Sequence, residues 1–308
     1  MRQERIIFMG TPEISKIYLQ SLIEHKYNII STYTQPPQKK GRGMHIQNSP
    51  VHQLSLEHGI PVYHPKNFSS LEAINKFKEL NPDIVIVMGY GILLPNRILK
   101  LPLHGCINIH VSLLPRWRGA SPIEHAILYG DKKTGVSIFK LEKRLDSGPI
   151  IASKEINIKE NVNKEYLTSE LNILGTALLI KTLPDLLDNK ISMRKQDESQ
   201  ATYAKKIPSE SRKIDFNNDI NTIYNQIRAF SPKPSAWFTL NNERINIISS
   251  SMKICHAEKS IILNDQFHIG CKNGIILPTI IQREGKRPVK IKDFLNGFTF
   301  EVGQKVNA

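Results

Sequence analysis

Six consecutive residues, Asp83-Ile84-Val85-Ile86-Val87-Met88, restrict the fold more than any other part of the chain. The run is short, uninterrupted and β-branched, and it stops at Gly89-Tyr90-Gly91. A strand that is apolar on both faces has to be covered on both faces, which is the situation of a central strand in a parallel sheet. Arg5-Ile6-Ile7-Phe8-Met9 reads as a second buried strand, and after the turn Gly10-Thr11-Pro12 an amphipathic stretch runs from Glu13 to His25. Cys106 to His110 and Gly135 to Leu141 are further strand candidates, with helical patterns at Ser70–Leu80 and Ser121–Tyr129 between the strands. Such alternation predicts an α/β, doubly wound, mostly parallel sheet with right-handed crossovers. Ligands of these sheets bind beyond the carboxyl ends of the strands, so the residues after Met9, Met88 and Ile109 are where chemistry is expected. Asn163 to Leu187 reads as a long closing helix.

The pattern changes after Asp188. A polar stretch, Gln196-Asp197-Glu198-Ser199-Gln200, leads through Tyr203-Ala204-Lys205-Lys206-Ile207 to Pro208 and reads as a connector. Beyond it lie one helical segment, Asp219 to Phe230, and short β-rich runs at Trp237–Leu240, Arg244–Ser249, Phe267–Cys271 and Ile275–Ile281. Asn241-Asn242 and Asn273-Gly274 sit between runs as hairpin turns. The expected organisation is a catalytic domain over 1–190, a linker over 191–207, and over 208–308 a small antiparallel barrel of the oligonucleotide-binding (OB-like) kind.

The 308 residues carry a net charge of +14. Basic surface attracts phosphate polymers and releases their counterions on contact. An abundance of Lys, Ile and Asn fits a lysine-rich coding habit equally well, so the position of the charges has to decide. Three scattered cysteines without a C-x-x-C pair suggest neither a disulfide framework nor a zinc site, and point to a reducing cytoplasm. No metal is expected. No apolar run approaches the roughly eighteen residues that crossing a bilayer needs, so no membrane association is expected.

The segment richest in chemistry begins at Asn108-Ile109-His110. Strand alternation puts Asn108 and His110 on one face, where an amide donor and an imidazole can converge on a developing oxyanion. A triplet of this kind is also common as ordinary packing. The neighbouring runs are far more specific: Ser112-Leu113-Leu114-Pro115-Arg116-Trp117-Arg118-Gly119-Ala120, then Leu145-Asp146-Ser147-Gly148.

Together these runs resemble the folate-dependent formyltransferases, and Ser112 to Ala120 resembles the branch of that family acting on methionyl-tRNA. The likeness extends over nearly the whole chain, through Phe8 to Pro12, Tyr33 to Pro36, Gly41-Arg42-Gly43, Ser49-Pro50-Val51, Tyr90-Gly91, Leu94-Pro95, Tyr203-Ala204 and Ile227 to Phe230. Gly89, Ser121 and Glu124 depart from the pattern, and the region after Pro278 matches loosely.

The resemblance implies a Rossmann-like catalytic domain, 10-formyltetrahydrofolate as co-substrate and initiator methionyl-tRNA as partner, on a chain expected to be monomeric. It makes Asn108, His110 and Asp146 the catalytic set, with Asp146 orienting His110 or holding a proton-shuttling water. By the same resemblance Tyr90, Gly91, Ile92, Leu93, Leu94, Ser112, Leu113, Leu114 and Pro115 are walls of the folate site. Lys39, Lys40 and Arg42 then fall in a basic insertion loop that meets the acceptor end of the tRNA. Arg283, Lys286, Arg287 and Lys290 form a second basic cluster, expected to touch tRNA phosphates.

A dinucleotide-dependent oxidoreductase is disfavoured because no G-x-G-x-x-G follows the first strand. A non-enzymatic RNA-binding protein would leave Asn108, His110 and Asp146 without a task. The alternative within the family is a phosphoribosylglycinamide formyltransferase of purine synthesis, which needs neither the second domain nor the basic loop.

Overall fold

The computed structural model describes residues 3–40 and 43–307. The first stretch contains β1 (Ile6–Gly10), α1 (Glu13–Glu24), β2 (Ile29–Tyr33), β3 (Gln38–Lys40), β4 (His45–Gln47), α2 (Pro50–Glu57), β5 (Val62–Tyr63) and α3 (Leu71–Glu79). Next come β6 (Ile84–Met88), α4 (Asn96–Leu99), β7 (Cys106–His110), β8 (Arg118–Gly119), α5 (Pro122–Leu128), β9 (Lys133–Lys140), β10 (Ile150–Asn157) and α6 (Lys164–Leu187). The last part holds β11 (Tyr203–Ala204), α7 (Ile220–Phe230), β12 (Ala236–Leu240), β13 (Glu243–Ile254), β14 (Ile269–Cys271), β15 (Gly274–Arg283), β16 (Val289–Lys290) and α8 (Ile291–Leu295). Two compact units result: residues 1–119, 135–155 and 170–203 form one, and residues 120–134, 156–169 and 204–308 form the other.

In the first unit a seven-stranded sheet has the order β10-β9-β7-β6-β1-β2-β5. Every residue of β1 and β6 is buried, as their apolar runs require. The helix α1 turns Ser15, Tyr18, Leu19 and Leu22 inward at helical spacing. Ser49 caps α2 by accepting from the His52 N–H, with Pro50 at the first helical position, and Ser70 caps α3 through the Ala73 N–H. Strand order runs outward from β1 in both directions, to β2 and β5 on one side and to β6 and β7 on the other. The carboxyl ends of β1 and β6 therefore flank the topological switch point.

The strand expected at Gly135–Leu141 is present as β9, but it runs antiparallel to β7, pairing His110 with Ser137 and Ile107 with Lys140. The physical reason is that α5, which precedes β9, belongs to the second unit and does not serve as a crossover over the sheet. The chain re-enters the sheet from the carboxyl end of β7. Residues 196–203, read from composition as connector, are instead folded into the first unit, where Gln196 is 5% exposed and the Arg118 N–H donates to the Thr202 carbonyl.

The second unit holds a five-stranded antiparallel sheet, β12-β13-β15-β14 with β16 paired to β15. β13 shifts register between Ile247 and Ser250, the bulges that let a twelve-residue strand bend. Asp219 caps α7 by accepting from the Asn221 N–H, and the apolar face of α7 joins Phe238, Ile245, Phe267 and Ile276 in one core. Asn241 and Asn242 both adopt positive φ, +52° and +59°, as a two-residue turn between antiparallel strands requires. The other turn lies one residue earlier than the sequence suggests, at Lys272-Asn273, with Cys271 paired to Gly274. Gly274 is small for a packing reason, since a Cβ there would sit 2.2 Å from Ile220 Cδ1.

A close approach of the same kind fixes α6 against α1. A Cβ on Gly175 would lie 2.0 Å from the Tyr18 hydroxyl and 2.9 Å from its Cζ, and Tyr18 is fully buried. Overpacking costs about 1–3 kcal/mol, here toward the upper end because the ring is fully buried, against a helix-propensity gain of about 1 kcal/mol for Gly→Ala. Gly175→Ala is expected to lower the denaturant midpoint without changing the slope. A midpoint at or above wild type would show that the two helices separate easily.

Candidate active site

The loops after β6 and β7 emerge side by side because those strands pair in parallel, Val87 against Asn108. At the end of β7, His110 is 6% exposed, with its ring edge-on to Phe139 at 6.5 Å. Its Nε2 lies 2.8 Å from the Trp117 carbonyl, and since a carbonyl only accepts, that nitrogen carries the hydrogen. Nδ1 faces Asp146, with Oδ2 at 3.9 Å. The same Oδ2 accepts from the Gly119 N–H at 2.7 Å, while Oδ1 has no hydrogen-bond partner among the described residues. Asn108 is half-buried two residues before His110, and its amide has no hydrogen-bond partner among the described residues.

Both residues that hold His110 in place have unusual backbones, with Trp117 at φ +61° and Asp146 at φ +47°. Non-glycine residues in the left-handed region cost free energy and persist where their surroundings over-determine them. The surroundings here are dense. Thr202 Oγ1 accepts from the Trp117 N–H at 2.9 Å, the Ser112 hydroxyl donates to the Arg116 carbonyl at 2.6 Å, and the Ser137 hydroxyl donates to the Ser112 carbonyl at 2.8 Å.

The structure thus brings Asn108, His110 and Asp146 to one place, and Asp146 reaches it without standing at the carboxyl end of a parallel strand. Because β9 is antiparallel, its carboxyl end lies beside Ile107, the wrong end of β7, and the loop 141–149 carries Asp146 back to His110.

The expected folate walls divide in two. Ser112 is fully buried with its hydroxyl engaged in its own loop, and Leu114, 5% exposed, packs with Phe139 and Ile150. Both therefore support the loop from behind. Ile92, Leu94, Leu113 and Pro115 are half-buried, Gly91 is exposed with φ +78°, and Leu93 is 84% exposed. Tyr90 is 1% exposed, and its hydroxyl has no partner among the described residues. Burial also pushes that phenol well above its ordinary pKa. An uncovered leucine beside half-buried apolar neighbours is the kind of surface on which a flat ring can lie.

Sequence reasoning missed Thr11 and Gln35. The Thr11 hydroxyl and the Gln35 side-chain amide both donate to the Tyr90 carbonyl, at 3.2 and 3.1 Å, tying together the carboxyl ends of β1, β2 and β6. It also missed Arg118 and Gln196. Arg118 is 1% exposed and donates to Gln196 and Glu198, and these bonds hold the Glu198 carboxyl below the usual carboxylate range. Gln196 could not be distinguished from solvated polar residues by composition. Elsewhere in the unit, a cavity of about 520 Å³ lined by Tyr33, Tyr63, His64 and Lys76 contains none of the three catalytic candidates.

Of the residues expected to meet tRNA, Lys39 is exposed on the β3–β4 hairpin, where it pairs with Ile46. Arg42 and the side chain of Lys40 lie outside the described residues. Arg283 is engaged internally, with two bonds of 2.8 Å to the Glu243 carboxylate and its guanidinium 5.1 Å over the Phe298 ring. Lys286, Arg287 and Lys290 are exposed. Among the described residues no cluster of His, Cys, Asp or Glu could hold a metal ion, and no helix is long and apolar enough to cross a membrane.

Residues 4–183 match the family described as Formyl transferase, and residues 206–299 match its C-terminal domain. The chain belongs to the formyl transferase family. Among its relatives, a methionyl-tRNA formyltransferase of Ehrlichia ruminantium (strain Gardel) is 41% identical over 300 residues, covering 96% of this chain and 97% of that one. A methionyl-tRNA formyltransferase of a Wolbachia species is 40% identical over 301 residues, covering 98% and 99%. The fold of this formyl transferase is also similar to that of HypX from Aquifex aeolicus, solved with tetrahydrofolic acid, at a TM-score of 0.66 and 14% identity over 96% of this chain and 47% of that one. An N-formyltransferase from Helicobacter canadensis, solved with folinic acid and dTDP-3-aminofucose, gives a TM-score of 0.66 at 20% identity over 89% and 98%.

Removing an oxyanion donor typically costs about 10²–10³ in turnover. Asn108→Ala, His110→Ala and Asp146→Ala are each expected to lower kcat by on the order of a hundredfold or more in a protein that still folds. Circular dichroism beside the kinetics checks this, and near wild-type turnover in any folded variant would remove that residue from the catalytic set.

Proposed function

We propose that this formyl transferase moves the formyl group of 10-formyltetrahydrofolate onto the α-amine of methionine carried by initiator tRNA. The observation that carries the reading is the full-length likeness, about 40% identity across both units, to relatives named for that activity. The exposed Lys39 of the β3–β4 hairpin and the exposed Lys286, Arg287 and Lys290 support it, because a small ribonucleotide acceptor would have no use for them. The protein acts in the cytoplasm as a monomer.

The donor supplies a carbonyl carbon bound to nitrogen. The incoming amine forms a new C–N bond, the old one breaks, and the amine proton leaves while the donor nitrogen gains one. Asn108, whose amide is unengaged, donates a hydrogen bond to the oxygen that becomes negative. His110 is held through Nε2–H and presents Nδ1 toward Asp146. Asp146, fixed through Oδ2, keeps Oδ1 free to take the amine proton directly or through a water. Leu93 and its neighbours Ile92 and Leu94 offer the apolar face for the flat ring of the donor.

Incubation with 10-formyltetrahydrofolate and either methionyl initiator tRNA or glycinamide ribonucleotide tests the reading. Formylation of the tRNA is expected, and formylation of the ribonucleotide alone would overturn it. Replacing Lys286, Arg287 and Lys290 together by Ala is expected to flatten the dependence of log affinity on log salt by about 2, since each phosphate contact contributes about 0.7–0.9. An unchanged slope would move the phosphate contacts elsewhere. Arg42→Ala is expected to depress formylation of initiator tRNA roughly tenfold to a hundredfold and to leave donor binding unchanged. Wild-type kinetics on initiator tRNA would exclude Arg42 from the interface.

A further inference from the structure

The catalytic aspartate is held from two sides, by Gly119 and by Gln196. On the side-chain side, the Gly119 N–H donates to Asp146 Oδ2. On the backbone side, Gln196 Nε2 donates to the Asp146 carbonyl at 2.8 Å and to the Gly148 carbonyl at 2.7 Å. The other end of the same amide, Oε1, accepts from Arg118 Nε at 3.1 Å and Nη2 at 2.9 Å. Arg118 continues to the Glu198 carboxylate, with Nη1 to Oε2 at 3.1 Å and Nη2 to Oε1 at 2.9 Å.

The orientation of the Gln196 amide is dictated by its partners. A guanidinium only donates and a carbonyl only accepts, so Oε1 must face Arg118 and the NH2 group must face Asp146 and Gly148. All four hydrogen-bonding positions of that amide are filled, in a side chain that is 5% exposed. The connection closes on itself. Arg118 is followed by Gly119, which binds the Asp146 carboxylate, while the Arg118 side chain reaches the Asp146 backbone through Gln196. The same stretch governs His110, because Thr202 takes the Trp117 and Arg118 N–H groups and the Trp117 carbonyl takes the His110 Nε2–H.

We infer that Gln196 and Arg118 are positioning residues of formyl transfer, which hold Asp146 in its left-handed backbone conformation at a set distance from His110. Residues 196–202 are then part of the catalytic apparatus although none of them reaches the reacting atoms. The inference rests on the proposed function for its assay, but its geometric content does not. Asp146 at φ +47° relaxes to an ordinary conformation once the carbonyls of Asp146 and Gly148 lose their shared donor, and its carboxylate moves relative to the imidazole.

Gln196→Ala removes the donor, and Gln196→Glu keeps the shape and strengthens the contact with Arg118 while turning a carboxylate oxygen onto two carbonyls. Misplacement of a catalytic group by about 1 Å costs on the order of a hundredfold. Both variants are therefore expected to lower kcat by about tenfold to a hundredfold, with KM for donor and tRNA within about twofold of wild type. Arg118→Lys is expected to fall between them and wild type, because one ammonium cannot reproduce the guanidinium fork. The decisive comparison is the double variant Gln196→Ala with Asp146→Ala, expected to be no slower than Asp146→Ala alone, because Gln196 acts through Asp146.

A reading independent of activity comes from the ¹H and ¹⁵N chemical shifts of the His110 ring at one fixed pH, which are expected to move in Gln196→Ala relative to wild type because the Asp146 carboxylate leaves its place beside Nδ1. If wild type fails to formylate methionyl-tRNA while these shifts still move, the function is misassigned and the positioning role stands. Wild-type kcat in folded Gln196→Ala and Gln196→Glu, an additive loss in the double variant, or unmoved ring shifts would each overturn it.

Discussion

The parallel ladder of β2, β1, β6 and β7 is the constraint on which the catalytic unit depends. β1 and β6 exclude water along their whole length, so neither can carry an unsatisfied polar side chain, and polar groups are displaced to the strand ends. Thr11, Gln35, Tyr90 and His110 all stand at or just past carboxyl ends, and the first three are bonded to one another across three strands. That lateral tie means the loops after β1, β2 and β6 are not independent. A disturbance in one reaches the surface formed by Ile92 and Leu93 through the Tyr90 carbonyl.

Much of this was legible in the sequence, and the reasons differ from residue to residue. The buried strands and their alternation with helices could be read because apolar continuity has few other causes. Asn108 and His110 could be placed on one face because strand periodicity is a local property. Asp146 could be named only through the family resemblance: its approach to His110 depends on an antiparallel strand and a returning loop, which no local pattern encodes. Gln196 was hidden for another reason. In a stretch of polar residues, burial of one of them depends on which carbonyls lie opposite, and those belong to residues fifty positions away. Arg118 carried a signal, as a member of the run that identifies the family, but a buried guanidinium cannot be told from an exposed one by its letter.

Charge was the least informative reading. A net +14 announces an affinity for phosphate without saying where, and one member of the expected cluster is paired within its own sheet. Arg283 spends its guanidinium on Glu243 and on the Phe298 ring, so it stabilises its own sheet. Paired arginine and unpaired lysine look alike in composition and differ wholly in what they offer a ligand.

The interleaving of the two units carries a different implication, for how such a protein can be taken apart. The chain passes from one unit to the other at residues 119–120, 134–135, 155–156, 169–170 and 203–204. No single cut separates them, and each owns segments enclosed by the other in sequence. The two family segments, 4–183 and 206–299, meet at one boundary in sequence, yet a cut there would leave residues 120–134 and 156–169 on the first piece and strip the second unit of chain that packs into it.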